Sequence, residues 1–170
     1  MNLDFHVRRP FLVLVGLLVL GGCTSERPAP PTPEVVTAGE VHEMIRSTEA
    51  EVVIVNMWAT WCGPCREEFP EYVEFVREYR EEGARLMFVS VDEREKMSAV
   101  EEFLEEQGVT WQTYLKEGPA SRFIPAMHGG WSGALPTTFV YRPDGSLATY
   151  WEGAGTYERL VNEVAPLLSS

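Results

Sequence analysis

Residues 52–58 read Val-Val-Ile-Val-Asn-Met-Trp, an apolar run with almost no polar alternation. A continuous β-branched run of this length suits a central strand covered on both faces. This requirement constrains the fold more than any other stretch, because both faces need a covering layer. Just beyond the run, Cys62-Gly63-Pro64-Cys65 opens a helical pattern. A helix start carries unpaired N–H groups and the positive end of the helix dipole, which favours an anion. A thiolate is an anion, so Cys62 is expected to be acidified and reactive near neutral pH. Cys65 lies three residues on, on the same helical face, close enough to close a disulfide behind it. The pair reads as a reversible dithiol/disulfide switch.

Downstream, Phe69, Val73, Val76 and Tyr79 recur at three- and four-residue steps and predict a helix over residues 62–82. Pro64 fits its first turn, where a missing N–H costs nothing. Pro70 falls inside the pattern and predicts a kink, and Gly83 ends it. Residues 35–38 predict a short edge strand, and Val41, Met44 and Ile45 a helix over 39–47. Residues 85–91 predict a second buried strand, 96–107 a helix stopped by Gly108, and 110–115 an extended segment. A short helix is expected within 118–128, between Pro119 and Pro125, followed by a glycine-rich loop over 129–133. Residues 136–142 predict a strand, Pro143-Asp144-Gly145 a hairpin turn, and 146–151 the returning strand. Thr156 caps a closing helix over 156–168, with Leu160, Val161, Val164 and Leu168 inward. This order predicts an α/β domain: a central mixed β-sheet with helices on both faces.

The N-terminus has a different character. Residues 1–22 carry Arg8 and Arg9, an apolar run over 11–20, then Gly21 and Gly22. That is the plan of a secretory signal, and the run is about half the roughly 20 residues of a spanning helix. A short uncleaved membrane anchor is the duller alternative. Leu20-Gly21-Gly22-Cys23 resembles the lipobox of bacterial lipoproteins, which implies that Cys23 is lipidated and tied to a lipid bilayer. Lipidation would also remove the odd one of three cysteines, leaving Cys62 and Cys65 as a pair. Acyl chains contribute about 0.8 kcal/mol per buried CH₂, so several of them would anchor the chain stably. Residues 23–34 then form a proline-rich tether, rising about 3.1 Å per residue and spanning roughly 30 Å. The expected organisation is a lipoprotein signal peptide over 1–22, a lipidated tether over 23–34 and one domain over 35–170.

The chain has 14 basic and 26 acidic side chains, a net charge of −12. Without residues 1–22, 12 basic and 25 acidic groups remain. This balance argues against nucleic acid as a partner and against docking on anionic lipid by charge. Much of the acid lies in residues 67–82 and 101–106, which read as solvated helix faces.

Trp61-Cys62-Gly63-Pro64-Cys65 after a buried strand is a thioredoxin-like redox context. Together with Leu135-Pro136-Thr137-Thr138-Phe139 and the element order, it resembles the membrane-anchored thioredoxin-like TlpA/ResA group, from about residue 35 to 168. The resemblance implies a thioredoxin-like fold, Cys62 as the accessible attacking thiol and Cys65 as the shielded resolving one. It implies that Pro136 follows a cis bond and lies against the disulfide, with the backbone of Leu135 pairing an extended client segment. Trp61, Gly63 and Pro64 would complete the client-binding surface, while Trp58 is assigned to the core. Asn56 stands where thioredoxin has a buried aspartate, and it cannot take up a proton at neutral pH. The resemblance instead points to Glu93 as a partly buried base for Cys65, with Asp92 and Glu95 competing for the role. His128 is either near Cys62 or a plain loop residue.

Duller readings of the cysteine pair are a zinc half-site or an inert bridge. Zinc needs four ligands, and only His42 and His128 accompany the pair after residue 23. An inert bridge would close almost no loop. The expected function is therefore that of an enzyme, a protein-disulfide reductase of the bacterial cell envelope. It would be lipid-anchored on the extracytoplasmic side, with no metal or cofactor beyond its own disulfide. Its partners would be a client protein disulfide, with apocytochrome c as the specific expectation, and a membrane thiol electron donor. The alternatives are a thioredoxin-fold binding module with a passive disulfide, and a disulfide oxidant or isomerase. Gly63-Pro64 matches thioredoxin, a reductant near −270 mV, rather than an oxidant near −120 mV.

Overall fold

The structure is a computed structural model and describes residues 30–168. The signal-like segment, Cys23 and the tether as far as residue 29 lie outside the described residues.

Strand β2 (Val52–Trp58) is buried at every position, as its unbroken apolar run requires. Its Val52, Ile54 and Trp58 point to one side, and Val53, Val55 and Met57 to the other. β2 pairs in parallel with β3 (Ala84–Ser90) and antiparallel with β5 (Thr137–Tyr141). Beyond β3 come β4 (Tyr114–Lys116) and the short edge strand β1 (Glu34–Val36), both parallel. Beyond β5 comes its hairpin partner β6 (Leu147–Glu152). The order β1-β4-β3-β2-β5-β6 gives the mixed sheet that the sequence predicts, a thioredoxin-like α/β fold.

Helices α1 (Ala38–Ser47) and α4 (Ala120–Met127) contribute Val41, Ile45, Phe123 and Met127 to the layer over Val53, Val55 and Met57. The start of α1 is closed by a capping box, in which Thr37 Oγ1 accepts from Glu40 N and Glu40 Oε2 accepts from Thr37 N. The opposite layer holds α2 (Gly63–Tyr79), α3 (Met97–Glu106) and α5 (Tyr157–Glu163). α2 runs unbroken through Pro70 and continues as a 3₁₀ turn, Arg80–Glu82. It ends at Gly83, whose φ of 100° suits a residue without a Cβ.

The closing helix differs from expectation. Thr156 caps it as predicted, but the helix stops at Glu163 and a separate turn, α6, follows at Ala165–Leu168. Pro166 supplies the reason: it has no N–H to continue the ladder, and its ring crowds the preceding turn.

The α2 layer is held by an aromatic stack. Phe69 is fully buried, lies 3.8 Å from the Phe88 ring centroid, and meets Trp58 and Phe103 edge-on at 5.0 Å each. Phe69→Ala is expected to lower stability by about 3–5 kcal/mol in urea unfolding, and Phe69→Leu by clearly less.

Candidate active site

β2 delivers the chain to the sheet's C-terminal edge, where residues 59–62 turn into α2. Asp92, itself buried, fastens this turn: its carboxylate accepts from Thr60 N at 2.8 Å, Thr60 Oγ1 at 2.7 Å and Ser90 Oγ at 2.7 Å. Cys62 N donates to Ala59 O at 3.1 Å. Cys62 is thereby set as the N-cap of α2, and its Sγ accepts from Cys65 N at 3.3 Å. A disulfide joins Cys62 to Cys65. Cys62 is 5% exposed and Cys65 0%, so the cysteine expected to be accessible is itself buried in the disulfide form and only slightly more exposed than its partner. Gly63 and Pro64 are exposed, and Trp61 at 71% is the most exposed large apolar residue among the described residues.

The second wall is the loop into β5. The Leu135–Pro136 bond is cis. Thr137 pairs with Met57, which brings Pro136 alongside the C-terminal end of β2. Several bonds hold this loop. Pro136 O accepts from Gly153 N at 2.8 Å, and Ala134 O accepts from Thr137 Oγ1 at 2.8 Å and Trp131 Nε1 at 3.1 Å. Glu152 accepts from both Ser132 N and Ser132 Oγ, at 2.7 and 2.6 Å, and these bonds hold its carboxyl below the usual range.

The carboxyl expected as a partly buried base differs from that expectation in its burial. Glu93 is not partly buried: its side chain is 71% exposed, and its Oε1 accepts from the buried Lys116 ammonium at 3.0 Å. Asp92 is consumed in fastening the turn, and Glu95 is exposed. The buried carboxyl is Glu68, 3% exposed and one helical turn beyond Cys65, although residues 67–82 read as a solvated face. Burial pushes its pKa up to about 7, against the opposing pull of the donors from Gly155 and Asn56. Gly155 N donates to Oε2 at 2.6 Å and Asn56 Nδ2 donates to Oε1 at 2.7 Å.

Asn56 Nδ2 also donates to Thr138 Oγ1 at 3.2 Å, and Tyr72 Oη lies 2.6 Å from the same hydroxyl. Asn56 Oδ1 is buried and has no hydrogen-bond partner among the described residues. The present orientation of the amide suits an ionised Glu68; the turned one would offer a protonated carboxyl an acceptor. Gly155 must be glycine, because a Cβ there would fall 2.1 Å from Tyr72 Oη. Glu68 had a sequence signal that periodicity alone underused. Positions 65, 68, 69 and 72 lie on one helical face, and a carboxylate among Cys65, Phe69 and Tyr72 is out of place on a solvated surface.

His128 packs against the stacked rings of Phe139 and Tyr150, its centroid 5.9 and 4.8 Å from theirs. His42 Nε2 lies 3.1 Å from Met127 O. Among the described residues no three His, Cys, Asp or Glu side chains come together as a metal site.

A Cys-x-x-Cys disulfide at the first turn of a helix, beside a cis-proline loop on this sheet, defines a thioredoxin-like redox domain. The chain belongs to the AhpC/TSA family, whose sequence profile matches residues 33–150. It is similar to the thiol-disulfide oxidoreductase ResA of Oceanobacillus iheyensis, 33% identical over 122 residues covering 69% of this chain and 59% of that protein. The protein of the same name from Bacillus subtilis is 28% identical over 116 residues, covering 68% and 60%. The match thus spans about 60% of the length of these curated relatives. The thioredoxin-related protein of Neisseria meningitidis serogroup B superposes with a TM-score of 0.61 at 29% identity, covering 73% of this chain and 90% of that one. A thiol:disulfide interchange protein of Chlorobium tepidum TLS shares the fold, with a TM-score of 0.61, 23% identity and coverage of 83% and 97%.

The raised pKa of Glu68 makes stability depend on pH. Between about pH 4.5 and 7 the native state binds more protons than the unfolded chain, so stability falls as pH rises through that window. Carrying a buried carboxyl from 4.5 to about 7 corresponds to roughly 3 kcal/mol. Urea unfolding of the oxidised protein at pH 5 and pH 8 should show a loss of that order, and Glu68→Gln should flatten it.

Proposed function

We propose that this protein is a thiol–disulfide oxidoreductase that reduces protein disulfides outside the cytoplasm, held to the membrane by lipid on Cys23. The observation that carries the reading is the Cys62–Cys65 disulfide at the N-terminus of α2 with a buried, proton-binding carboxyl one turn behind it. In the reduced protein, the first-turn N–H groups and the helix dipole stabilise a thiolate at Cys62. That thiolate attacks one sulfur of the client disulfide; a mixed disulfide forms and the other client sulfur leaves as a thiolate. Cys65 then gives its proton to Glu68 and attacks Cys62 Sγ. The internal disulfide closes, and the second client sulfur leaves and takes up a proton. Two electrons have passed from the Cys62/Cys65 dithiol to the client.

The signal-like N-terminus and lipobox-like cysteine support placement in a bacterial envelope on the extracytoplasmic side. A reductant working there needs a membrane thiol donor to recharge it, because that compartment is kept oxidising. Within this reading, the client is apocytochrome c, whose haem-attachment cysteines must stay reduced. The names of the oxidoreductase relatives support the reaction class, and the Gly63-Pro64 dipeptide supports its direction.

Insulin reduction with dithiothreitol as donor tests the activity. The wild type should accelerate precipitation of the insulin B chain, and Cys62→Ser should abolish the effect. Unchanged activity in Cys62→Ser would instead make the disulfide a passive bridge. The measured reduction potential should lie well below about −150 mV; a value above it would make the protein an oxidant.

A further inference from the structure

We propose that a pocket lined by Arg77, Arg80 and Arg85 binds the headgroup phosphate of an anionic phospholipid and thereby turns the disulfide away from the membrane. The proposal rests on the reading above that lipid on Cys23 ties the chain to a bilayer. The pocket exists because the sheet is incomplete there. β3 pairs with β4 only at Val89 and Ser90, so its first half has no neighbouring strand on that side among the described residues. A cavity of about 340 Å³ occupies the gap, in the size range of small-ligand sites, with Leu86 and Trp111 as apolar wall.

Its charge runs against that of the chain. Beyond residue 22 acids outnumber bases 25 to 12, yet three of those bases line the pocket and no acid does. The chain as a whole is too acidic to dock on anionic lipid by charge, and this pocket is the local exception. Each guanidinium makes one hydrogen bond among the described residues: Arg77 donates to Gly108 O, Arg80 to the exposed Glu81 and Arg85 to Thr48 Oγ1. A guanidinium has five N–H donors in a fork that fits phosphate oxygens, so most of them stay free for a ligand. An anion with an apolar continuation satisfies both the arginines and the Trp111 wall; a headgroup phosphate with its glycerol and acyl stem is such a group.

The tether selects lipid among anions of this kind. Gln112, which lines the pocket, donates to Thr32 O at 3.1 Å, so the chain reaches the domain beside it. Cys23 lies nine residues before Thr32, a stretch that reaches at most roughly 32 Å. A bilayer holding Cys23 is therefore kept near the arginines. The disulfide lies toward the other end of the sheet. The pocket borders Ala84–Met87, level with Val52–Val55, whereas the chain reaches Cys62 only after Trp58 at the far end of β2. At about 3.3 Å per residue the two are separated by roughly 15 Å along the strand. With the arginines on headgroups, Cys62 and Cys65 face the aqueous side, where a client disulfide arrives.

The test titrates the full chain with dihexanoyl-phosphatidylglycerol and dihexanoyl-phosphatidylcholine, both kept monomeric, and follows the Trp111 indole N–H by NMR. The anionic lipid should shift that signal and bind at least about tenfold tighter than the zwitterionic one, because an arginine near anionic lipid contributes about fivefold. Arg80→Gln should weaken binding about fivefold, and Arg80→Gln with Arg85→Gln about 25-fold. All three arginines are exposed, so these variants keep the fold, and their insulin reduction should match the wild type. Equal affinity for the two lipids, an unmoved affinity in the double variant, or no binding at about 5 mM would overturn the pocket. Inorganic phosphate binding as tightly as the anionic lipid would make it a free-anion site instead, and tighter binding of a blocked Asp-Trp-Asp peptide would make it a protein contact; either overturns the proposal. Orientation is read in nanodiscs with nitroxide-labelled headgroups. In phosphatidylglycerol discs the Trp111 indole signal should broaden and that of Trp61 should not; equal broadening would overturn the orientation. Co-elution with the discs reports the membrane tie and insulin reduction the activity. A chain that stays off the discs thus fails the tie, while the monomeric-lipid titration still decides the pocket.

Discussion

The structure depends on burying β2 on both faces while one polar side chain, Asn56, stays in its middle. Every other position of that strand is apolar and needs only a covering layer. Asn56 needs partners, and the α2 layer provides Glu68 while β5 provides Thr138. An unpaired amide there would cost more than a hydrogen bond contributes, so the helix, the central strand and the strand after the cis proline are locked in one register. The disulfide sits above this junction. Its position follows from the same packing that holds Glu68 out of water.

The carboxylates around the site show how environment divides identical chemistry. Asp92 is buried and surrounded by donors, so it acts as a fastener for the turn before Cys62. Glu152 clasps Ser132 at the surface and holds the cis-proline loop. Glu93 balances a buried ammonium. Glu68 is buried with donors too few to offset desolvation, which pushes its pKa up to about 7. In the proposed reaction that leaves Glu68 as the group able to take a proton from Cys65 and return it.

Much of this was legible in the sequence. The unbroken run over residues 52–58 dictated a central strand, since only a two-sided cover stabilises it. Cys62 and Cys65 with Pro64 marked the start of a helix, and Gly83 its end, because each residue type has a local backbone reason to be there. What was not legible was burial of charge. Helical periodicity counts apolar positions, so Glu68, a single acid in an acidic stretch, was read as solvent-facing. Glu93 as a partly buried base is what the family resemblance implies, and no residue pattern around it speaks to its burial. The division of the last helix was missed because Pro166 was not weighed against the apolar spacing around it.

The sequence by itself determined the element order, the class of fold and the redox pair, all of which rest on local backbone preference and on hydrophobic periodicity. Only the tertiary structure decided which carboxyl binds a proton and which cancels a charge. Those roles depend on what another part of the chain brings to each group: Gly155 across from Glu68, and Lys116 beneath Glu93. Desolvation is a property of the packed neighbourhood and has no signature in the residue itself.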